Sequence, residues 1–206
     1  MFDVSAPIVG PIDVRLATSP LDRDAVFQLR HRVLGASASD AGRGLAASNG
    51  RLLEPADCGA DIFAAFASDG TALASVRRER LHDVLKRDDR LAPLLGVAQR
   101  LGSDPRRVST TCRFIIDPTA SSGANLALRV FAAMLKQSAD ENITHDLCWA
   151  DEGRVQGRLR LGYQDARTRI LDASGEPMQV LALKVGSRAS GKGSFTRLIR
   201  RSVRAA

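Results

Sequence analysis

The stretch that decides the fold runs from Val108 to Gln137 and opens with VSTTCRFII, residues 108–116. This run is rich in β-branched side chains and ends at Asp117-Pro118, which predicts a strand closed by a turn. The small residues TASSG, 119–123, follow as a loop. Apolar positions then recur at helical spacing and predict a helix: Ala124, Ala127, Leu128, Phe131, Met134 and Leu135. The free N–H groups and partial positive charge of such a helix start suit a phosphate or pyrophosphate.

Towards the N-terminus, the pattern predicts a strand over 12–17 and then a helix. Ser19 would cap that helix, with Pro20 in its first turn and Asp22 three residues after the cap. Residues 35–59 have no sustained period and are expected to form a mobile loop over a site. Two apolar runs, 62–67 and 72–80, flank Ser68-Asp69-Gly70 and predict a hairpin. Two short helices are expected within 81–107.

Towards the C-terminus, we expect a buried strand over 143–150, a polar helix over 151–161 and a final strand over 178–185. The sequence therefore predicts an α/β chain of the α+β kind, with a mixed, mostly antiparallel sheet flanked by helices. Residues 1–186 are expected to form a single domain. Residues 187–206 would form a basic tail.

Length and composition favour a cytoplasmic globular protein. The chain has 206 residues, of which 44% are hydrophobic, and this suffices to bury a core without disulfides or metals. No apolar run approaches the roughly 20 residues that cross a bilayer. The cysteines Cys58, Cys112 and Cys148 are odd in number and lack metal-like spacing, so neither a disulfide framework nor a metal site is expected.

The net charge of +7 is concentrated in the last twenty residues, which hold six basic side chains and no acid. One interpretation is a solvated, disordered tail. The other is a basic amphipathic helix over 195–203 that docks an acidic carrier protein or a membrane surface. Nucleic acid is not expected as a partner, because aromatic content is only 4% and no stacking platform is visible.

The order of elements resembles the GNAT acyltransferase superfamily over nearly all of residues 12–185. RFIIDP at 113–118 resembles the strand that enters that family's cofactor loop, and LRLGY at 159–163 resembles its helix exit. The resemblance implies that a pantetheine arm slips between two strands that part just past Ile116. It implies donor-binding roles for eight residues: Phe114, Ile115, Ile116, Ser121, Ser122, Gly123, Ala124 and Asn125.

One departure bears on the donor. The loop SSGANL, 121–126, lacks the family's usual R/Q-x-x-G-x-G/A pattern. This departure weakens the case for ordinary acetyl-CoA binding and leaves open a phosphopantetheine presented in another way.

A branch of that superfamily is also similar, namely the acyl-homoserine-lactone autoinducer synthases and the N-acyl amino acid synthases, which take acyl chains from acyl carrier protein. The similar stretches appear in the branch's order: LRHRV at 29–33, the pair Asp57 and Asp61, SVRR at 75–78 and TCRF at 111–114. The branch's glutamate three residues before Arg113 is Thr110 here, and its tryptophan after Val33 is absent. We therefore expect plain amide synthesis rather than lactone formation.

Amide formation from a thioester needs a neutral amine, a proton acceptor and donors facing the oxyanion. Glu79 and Arg113 are the predicted catalytic residues, with Glu79 as base or water relay. The alternative for Glu79 is a surface carboxylate paired with Arg77 or Arg80. His145 is either a base or a hydrogen-bonded structural histidine.

The predicted acceptor site contains Arg30, Arg77, Asp57 and Asp61. A guanidinium binds a carboxylate or a phosphate in bidentate fashion. The alternative is that the arginines and the two aspartates pair among themselves. The family's helix tyrosine is replaced by Arg158, and Tyr163 is expected to be a packed turn aromatic.

The sequence therefore predicts an N-acyltransferase that moves a fatty acyl group from acyl carrier protein to the amine of an amino acid or similar small acceptor. No tightly bound cofactor is expected; acyl carrier protein, with its phosphopantetheine thioester, or acyl-CoA would be the co-substrate. Two alternatives remain: an acetyl-CoA-dependent GNAT N-acetyltransferase, and a non-catalytic GNAT-like module that binds acyl groups or carrier protein.

Overall fold

A computed structural model describes residues 11–35, 46–120 and 123–186. Within these ranges the chain forms nine strands and five α-helices. In chain order they are β1 Asp13–Leu16, α1 Pro20–Leu34, β2 Ala46–Ser48, β3 Arg51–Leu53, β4 Asp61–Phe66, β5 Ala72–Arg80, α2 Leu81–Arg87, α3 Pro93–Arg100, β6 Val108–Ile116, α4 Gly123–Asp140, β7 His145–Ala150, α5 Glu152–Arg160, β8 Gln164–Leu171 and β9 Pro177–Lys184.

Seven strands form one mixed sheet in the order β1-β4-β5-β6-β7-β9-β8. The pair β6/β7 is parallel, whereas β1/β4, β7/β9 and β8/β9 are antiparallel. β4 and β5 are joined by the predicted tight turn, in which the Ala67 amide donates to the Thr71 carbonyl at 2.9 Å. The predicted fold class, a mixed and mostly antiparallel sheet flanked by helices, is confirmed.

The chain divides into two compact units, and β5 and β6 each contribute residues to both. The first unit comprises residues 1–58, 62–76 and 113–133. Its core includes Val26, Leu29, Ile62, Phe66 and Ile115, all nearly or fully inaccessible to solvent. Helix α1 begins as predicted, because the Ser19 hydroxyl accepts a hydrogen bond from the Asp22 amide at 3.0 Å.

The second unit comprises residues 59–61, 77–112 and 134–206. Its core packs Leu81 of α2 and Leu94 and Val97 of α3 with the strand residues Leu147 and Val180. Every residue of β5 except the last is buried, although this strand carries two arginines and a glutamate in succession. Charged groups in so buried a strand must find partners inside the protein, and these partners define the sites described below.

Two sequence expectations were wrong. The stretch 35–59 is not one loop, because β2 and β3 form a hairpin that turns at Asn49-Gly50, both with positive φ (51° and 72°). Strand β8 was not predicted at all. It lies at the edge of the sheet, pairs with β9 and exposes Gln164, Asp165, Arg167 and Arg169, so its polar sequence lacks the apolar run that a buried strand shows.

The predicted basic tail, residues 187–206, lies outside the described residues. Among the residues that are described, no helix is long and apolar enough to span a bilayer.

Candidate functional site

Strand β7 has two neighbours and pairs with them differently. It pairs with β9 along all six of its residues. Its parallel pairing with β6 covers only three residue pairs, from Val108–His145 to Thr110–Leu147. Within the second unit, β6 continues to Cys112 and β7 to Ala150 without this pairing. The two strands therefore part directly after Thr110 and not past Ile116, which corrects the predicted position.

Polar side chains of the second unit gather where β6 leaves the ladder. The Arg77 Nε donates to the Cys112 Sγ at 3.3 Å and lies 3.1 Å from the Glu79 Oε1. The other Glu79 oxygen receives the Arg87 guanidinium. Glu79 is buried, with 8% of its surface exposed, so its interpretation as a surface carboxylate is wrong, although the pairing with Arg77 named in that interpretation is present. Arg80 pairs instead with Glu141, at 2.5 Å.

Thr110 is the last residue of β6 that pairs with β7, and its side chain is fully buried. Its Oγ1 has no hydrogen-bond partner among the described residues. An unpartnered buried hydroxyl is unusual in a native protein. The residue at the end of the β6/β7 ladder is therefore a buried polar group without a hydrogen-bond partner in the described structure.

In the first unit, the Arg30 guanidinium is 1% exposed and only partly satisfied. Its Nη1 donates to the Asp57 Oδ2 at 2.7 Å. In the described structure, Nε and Nη2 are buried and have no hydrogen-bond partner, and the Phe27 ring lies 5.5 Å from the guanidinium carbon. Nε and Nη2 form the flat side edge of a guanidinium, which matches the two oxygens of a carboxylate.

Further contacts join this pair to β6. The Asp57 Oδ2 also accepts from the Glu54 amide at 2.8 Å, and the Glu54 carboxylate accepts from the Arg113 Nε at 2.9 Å. The Arg113 backbone has φ 52°, a strained left-handed conformation for a residue inside a strand. Glu54 was not among the predicted site residues, and no motif in the sequence links it to an arginine 59 residues away.

The two predicted aspartates serve different arginines. Asp61 accepts from Arg78, at 3.2 Å from Nε and 2.5 Å from Nη2, and Arg78 also binds Ser138 and Glu141. Burial opposes the charge of Glu141, but hydrogen bonds from Gln137 and Arg78 prevail and lower its pKa. Pairing among the arginines and aspartates thus occurs for Arg30 with Asp57, while Asp61 pairs with an arginine outside the predicted set.

The predicted donor-binding residues differ in what they expose. Phe114 packs edge-on against Phe131, with ring centroids 6.4 Å apart. Ile115 is buried in the core and Ile116 is half-buried, so Ile115 offers only its backbone to a ligand. Helix α4 starts at Gly123 and continues through Ala124 to Asn125, which is exposed. Ser121 and Ser122 lie outside the described residues.

A buried acid that sequence reasoning missed lies beside the parting strands. Asp146 of β7 is 0% exposed, and it accepts hydrogen bonds at 2.5 Å from the Ser109 hydroxyl and at 2.5 Å from the Tyr163 hydroxyl. Burial raises the pKa of Asp146 above its usual value, against the lowering effect of these hydrogen bonds. The one available signal was an aspartate inside the apolar run HDLCWA, 145–150.

His145 has a structural partner. Its Nδ1 lies 2.5 Å from the Ser103 hydroxyl. Burial lowers the pKa of His145, and the nearby Lys184 charge lowers it further. In the described ranges no group of three or more His, Cys, Asp or Glu side chains could hold a metal ion.

Comparison with known proteins identifies the fold of the chain. No family model and no curated protein sequence matches the chain. Among solved structures, the CoA-dependent acyl-homoserine lactone synthase BjaI, solved with MTA, matches with a TM-score of 0.66 at 14% identity, covering 93% of this chain and 89% of that one. FeeM, an N-acyl amino acid synthase from uncultured soil microbes, matches with a TM-score of 0.59 at 14% identity, covering 88% and 94%.

A putative N-acetyltransferase from Lactobacillus plantarum also matches, with a TM-score of 0.58 at 13% identity, covering 85% of this chain and 99% of that one. These neighbours have one fold in common, although their titles describe different acyl transfers. The chain therefore has the GNAT acyltransferase fold. Within that fold its neighbours include both synthases of acylated small molecules and N-acetyltransferases.

Proposed function

We propose that the protein is an N-acyltransferase that moves a fatty acyl group from the phosphopantetheine of acyl carrier protein to the amine of an amino acid. The observation that carries this proposal is the early end of the β6/β7 ladder, after three residue pairs. It rests further on the GNAT fold and on the partly satisfied arginine in the first unit.

The donor would use the strand edges released after Thr110 and Leu147. Past this point, β6 and β7 no longer satisfy each other's backbone groups, and a backbone group left without a partner is costly. A pantetheine arm carries two amides and can supply the missing partners, much as an added strand would. The phosphate would bind at the start of α4, from residues 121–125, as the sequence predicts.

The acceptor's carboxylate would bind the open edge of Arg30. Hydrogen bonds join the side chains of Arg23, Arg30 and Arg113 to Glu54 and Asp57. Within this cluster, the flat Nε/Nη2 edge of Arg30 matches the two oxygens of a carboxylate. Because Nε and Nη2 are buried, the ligand would reach them only if a neighbouring side chain turns aside.

Phe27 is the side chain best placed for that movement. Its ring lies against the Arg30 guanidinium, and it also lines a groove of about 330 Å³ together with Asp24, Asn49, Arg51 and Leu53. Rotation of this ring towards the groove would uncover Nε and Nη2 of Arg30. We propose this groove as the acceptor's path to Arg30.

The chemistry is an attack of the neutral amine on the thioester carbonyl. A C–N bond forms, the C–S bond breaks, and the amine proton is passed to the departing sulfur, so the products are an amide and a free thiol. Glu79, held by Arg77 and Arg87, would accept the proton directly or through water. Arg113 stays a predicted catalytic residue, and its left-handed backbone marks an irregularity in β6.

Carrier-protein use also fits the charge distribution. The basic segment 187–206 would dock an acidic carrier protein, or would contact a membrane surface. We propose residues 1–186 as the acyltransferase domain and the cytoplasm as its location, where acyl carrier proteins are loaded.

Acetyl-CoA-dependent N-acetylation is the second candidate function. The N-acetyltransferase among the structural neighbours favours it. The loop SSGANL, which departs from the family's cofactor pattern, speaks against it.

The test offers the full chain three donors: decanoyl carrier protein, decanoyl-CoA and acetyl-CoA. Each is paired with amino acids and with the corresponding amines that lack the carboxylate, and products are identified by mass spectrometry. We expect decanoyl amides of amino acids and little product from the decarboxylated amines. Turnover of acetyl-CoA alone would overturn the fatty-acyl assignment. Consumption of no thioester with any amine would favour a non-catalytic binding module.

A further inference from the structure

Asp146 connects three parts of the second unit around one carboxylate. Its backbone pairs with Ser109 in the middle of the short β6/β7 ladder. Its Oδ1 accepts from the Ser109 hydroxyl of β6, and its Oδ2 accepts from the hydroxyl of Tyr163, in the turn that follows α5. We call these three residues the Asp146 clasp.

The clasp is costly to maintain. Asp146 is fully buried, and no lysine or arginine forms an ion pair with it in the described part of the chain. Uncharged hydroxyls are its hydrogen-bond partners, so a carboxylate at this position has no direct ionic partner among the described residues. An apolar residue at this position of β7 would avoid that cost. A feature that is unfavourable for stability and lies beside the proposed donor cleft is a candidate for a functional role.

The location of the clasp indicates what this role is. The Ser109–Asp146 pair is followed by one more pair, Thr110–Leu147, and then the parallel ladder ends. On the opposite edge of β7, the ladder to β9 continues to Ala150. The hydroxyl bond therefore ties β6 to β7 one pair before they separate, and Tyr163 holds the same carboxylate from the side of α5.

We propose that Asp146, held by Ser109 and Tyr163, is a positioning residue that fixes where β6 and β7 part and thereby sets the fit of the donor's pantetheine arm. This inference rests on the proposed acyltransferase function. Without the clasp, the ladder end would shift or fray, and the backbone groups that receive the arm would lose their alignment. Donor binding would suffer, while the acceptor subsite at Arg30 would not change.

The test compares Asp146→Asn, Ser109→Ala and Tyr163→Phe with the wild-type chain. Tyr163→Phe keeps the buried ring and removes only its hydroxyl, so it provides an answer even if Asp146→Asn folds poorly. Asp165→Asn is the matched control, because Asp165 is an exposed carboxylate of β8. For each variant, the KM values of decanoyl donor and amino-acid acceptor, kcat, and calorimetric binding of decanoyl-CoA are measured on protein whose folded fraction is known from urea unfolding.

We expect the donor KM and the decanoyl-CoA Kd to rise about tenfold in the clasp variants, since small misplacements at a binding site cost at least this much. The acceptor KM and the control variant should be unchanged. If the variants lower kcat only in proportion to the folded fraction, with the donor KM unaltered, the clasp is merely structural and the proposal is wrong.

The test also separates this inference from the proposed function. If the wild-type chain binds decanoyl-CoA without turnover and the clasp variants weaken that binding, the transferase assignment fails but the positioning role stands. If the wild-type chain binds neither decanoyl-CoA nor decanoyl carrier protein, both fail.

Discussion

Two buried arginines, each 1% exposed, are treated differently by the protein. All three nitrogens of the Arg78 guanidinium donate hydrogen bonds, to Asp61, Ser138 and Glu141. Arg30 donates from Nη1 alone, to Asp57, and its Nε and Nη2 have no hydrogen-bond partner in the described structure. An arginine whose guanidinium nitrogens are all hydrogen-bonded stabilises the fold, whereas an arginine with an open edge is suited to bind a ligand.

This difference has an energetic meaning. A buried donor without a partner costs on the order of 1–3 kcal/mol. Arg30 bears that cost twice over when no ligand is bound, and a carboxylate on its open edge would remove it. Arg78 bears no such cost, so its removal affects stability rather than binding. The two arginines therefore predict opposite consequences of mutation.

The largest effect is expected for Arg78→Met. This change leaves the partly exposed Asp61 and Glu141 carboxylates without their shared partner, and the loss of hydrogen bonds to a buried charged donor costs about 3 kcal/mol. Urea unfolding measures the loss. The neighbouring Arg80→Met is the control, because Arg80 also binds Glu141 but is one-third exposed, and its loss should cost about 1 kcal/mol or less. A loss below about 1 kcal/mol for Arg78→Met would contradict its structural role.

The next effect is expected for Arg30→Lys, which keeps the charge beside Asp57 but removes the flat edge. We expect the acceptor KM to rise by about 10²-fold with little change in the donor KM, since a lysine cannot replace a bidentate contact. Steady-state kinetics with varied acceptor measure this. Arg32→Lys, on the same helix but exposed, should leave the acceptor KM unchanged. An unaltered acceptor KM in Arg30→Lys would refute the carboxylate subsite.

Glu79 and Glu141 extend the comparison to the acids, because each is paired with two arginines. If Glu79 relays the amine proton, Glu79→Gln should lower kcat by about 10²-fold and leave both KM values nearly unchanged. Glu141→Gln should instead lower the free energy of unfolding and leave kcat of the folded protein intact. Equal kcat values for the two variants would refute the proposed role of Glu79 as proton acceptor.

The smallest effect concerns His145, whose pKa is lowered by burial and then by Lys184. The unfolded chain takes up this proton near pH 6.5, whereas the folded chain resists it. Stability contributed by neutral His145 is therefore present above pH 6.5 and is lost as pH falls below it. His145→Gln should flatten this part of the stability profile, as measured by urea unfolding between about pH 8 and pH 5. His82→Gln, at a half-buried position of α2, is the comparison variant. A profile unchanged by His145→Gln would contradict the assignment.

Local sequence signals predicted much of the fold. The cap at Ser19, the strand from Val108 to Ile116 and the Asp-Gly hairpin each depend on neighbours in the chain, and all are present. The hairpin at Asn49-Gly50 was missed because the Gly-, Ala- and Ser-rich composition of residues 35–59 suggested a loop and outweighed the Asn-Gly turn signal. Strand β8 was missed because an edge strand needs little apolar sequence. Elements that depend on interactions between neighbours in the chain can thus be predicted from sequence.

The candidate site was less predictable, because its contacts join residues far apart in sequence. Arg113 meets Glu54 across 59 positions and Arg78 meets Glu141 across 63. Which aspartate each arginine binds depends on strand register and helix packing, which no short motif encodes. Asp146 was missed because a buried carboxylate held by hydroxyls resembles, in sequence, any polar residue near the start of a strand. The catalytic and binding roles stay predictions.

The most direct test of the central claim uses Trp149, the only tryptophan, which lies on β7 beyond the last pair with β6. Intrinsic fluorescence is followed while decanoyl-pantetheine is added to the full chain, with free decanoate as the control. If the thioester arm enters between β6 and β7, the tryptophan emission changes saturably with decanoyl-pantetheine and not with decanoate. Acyl transfer that proceeds with no change in Trp149 emission would contradict that path for the donor.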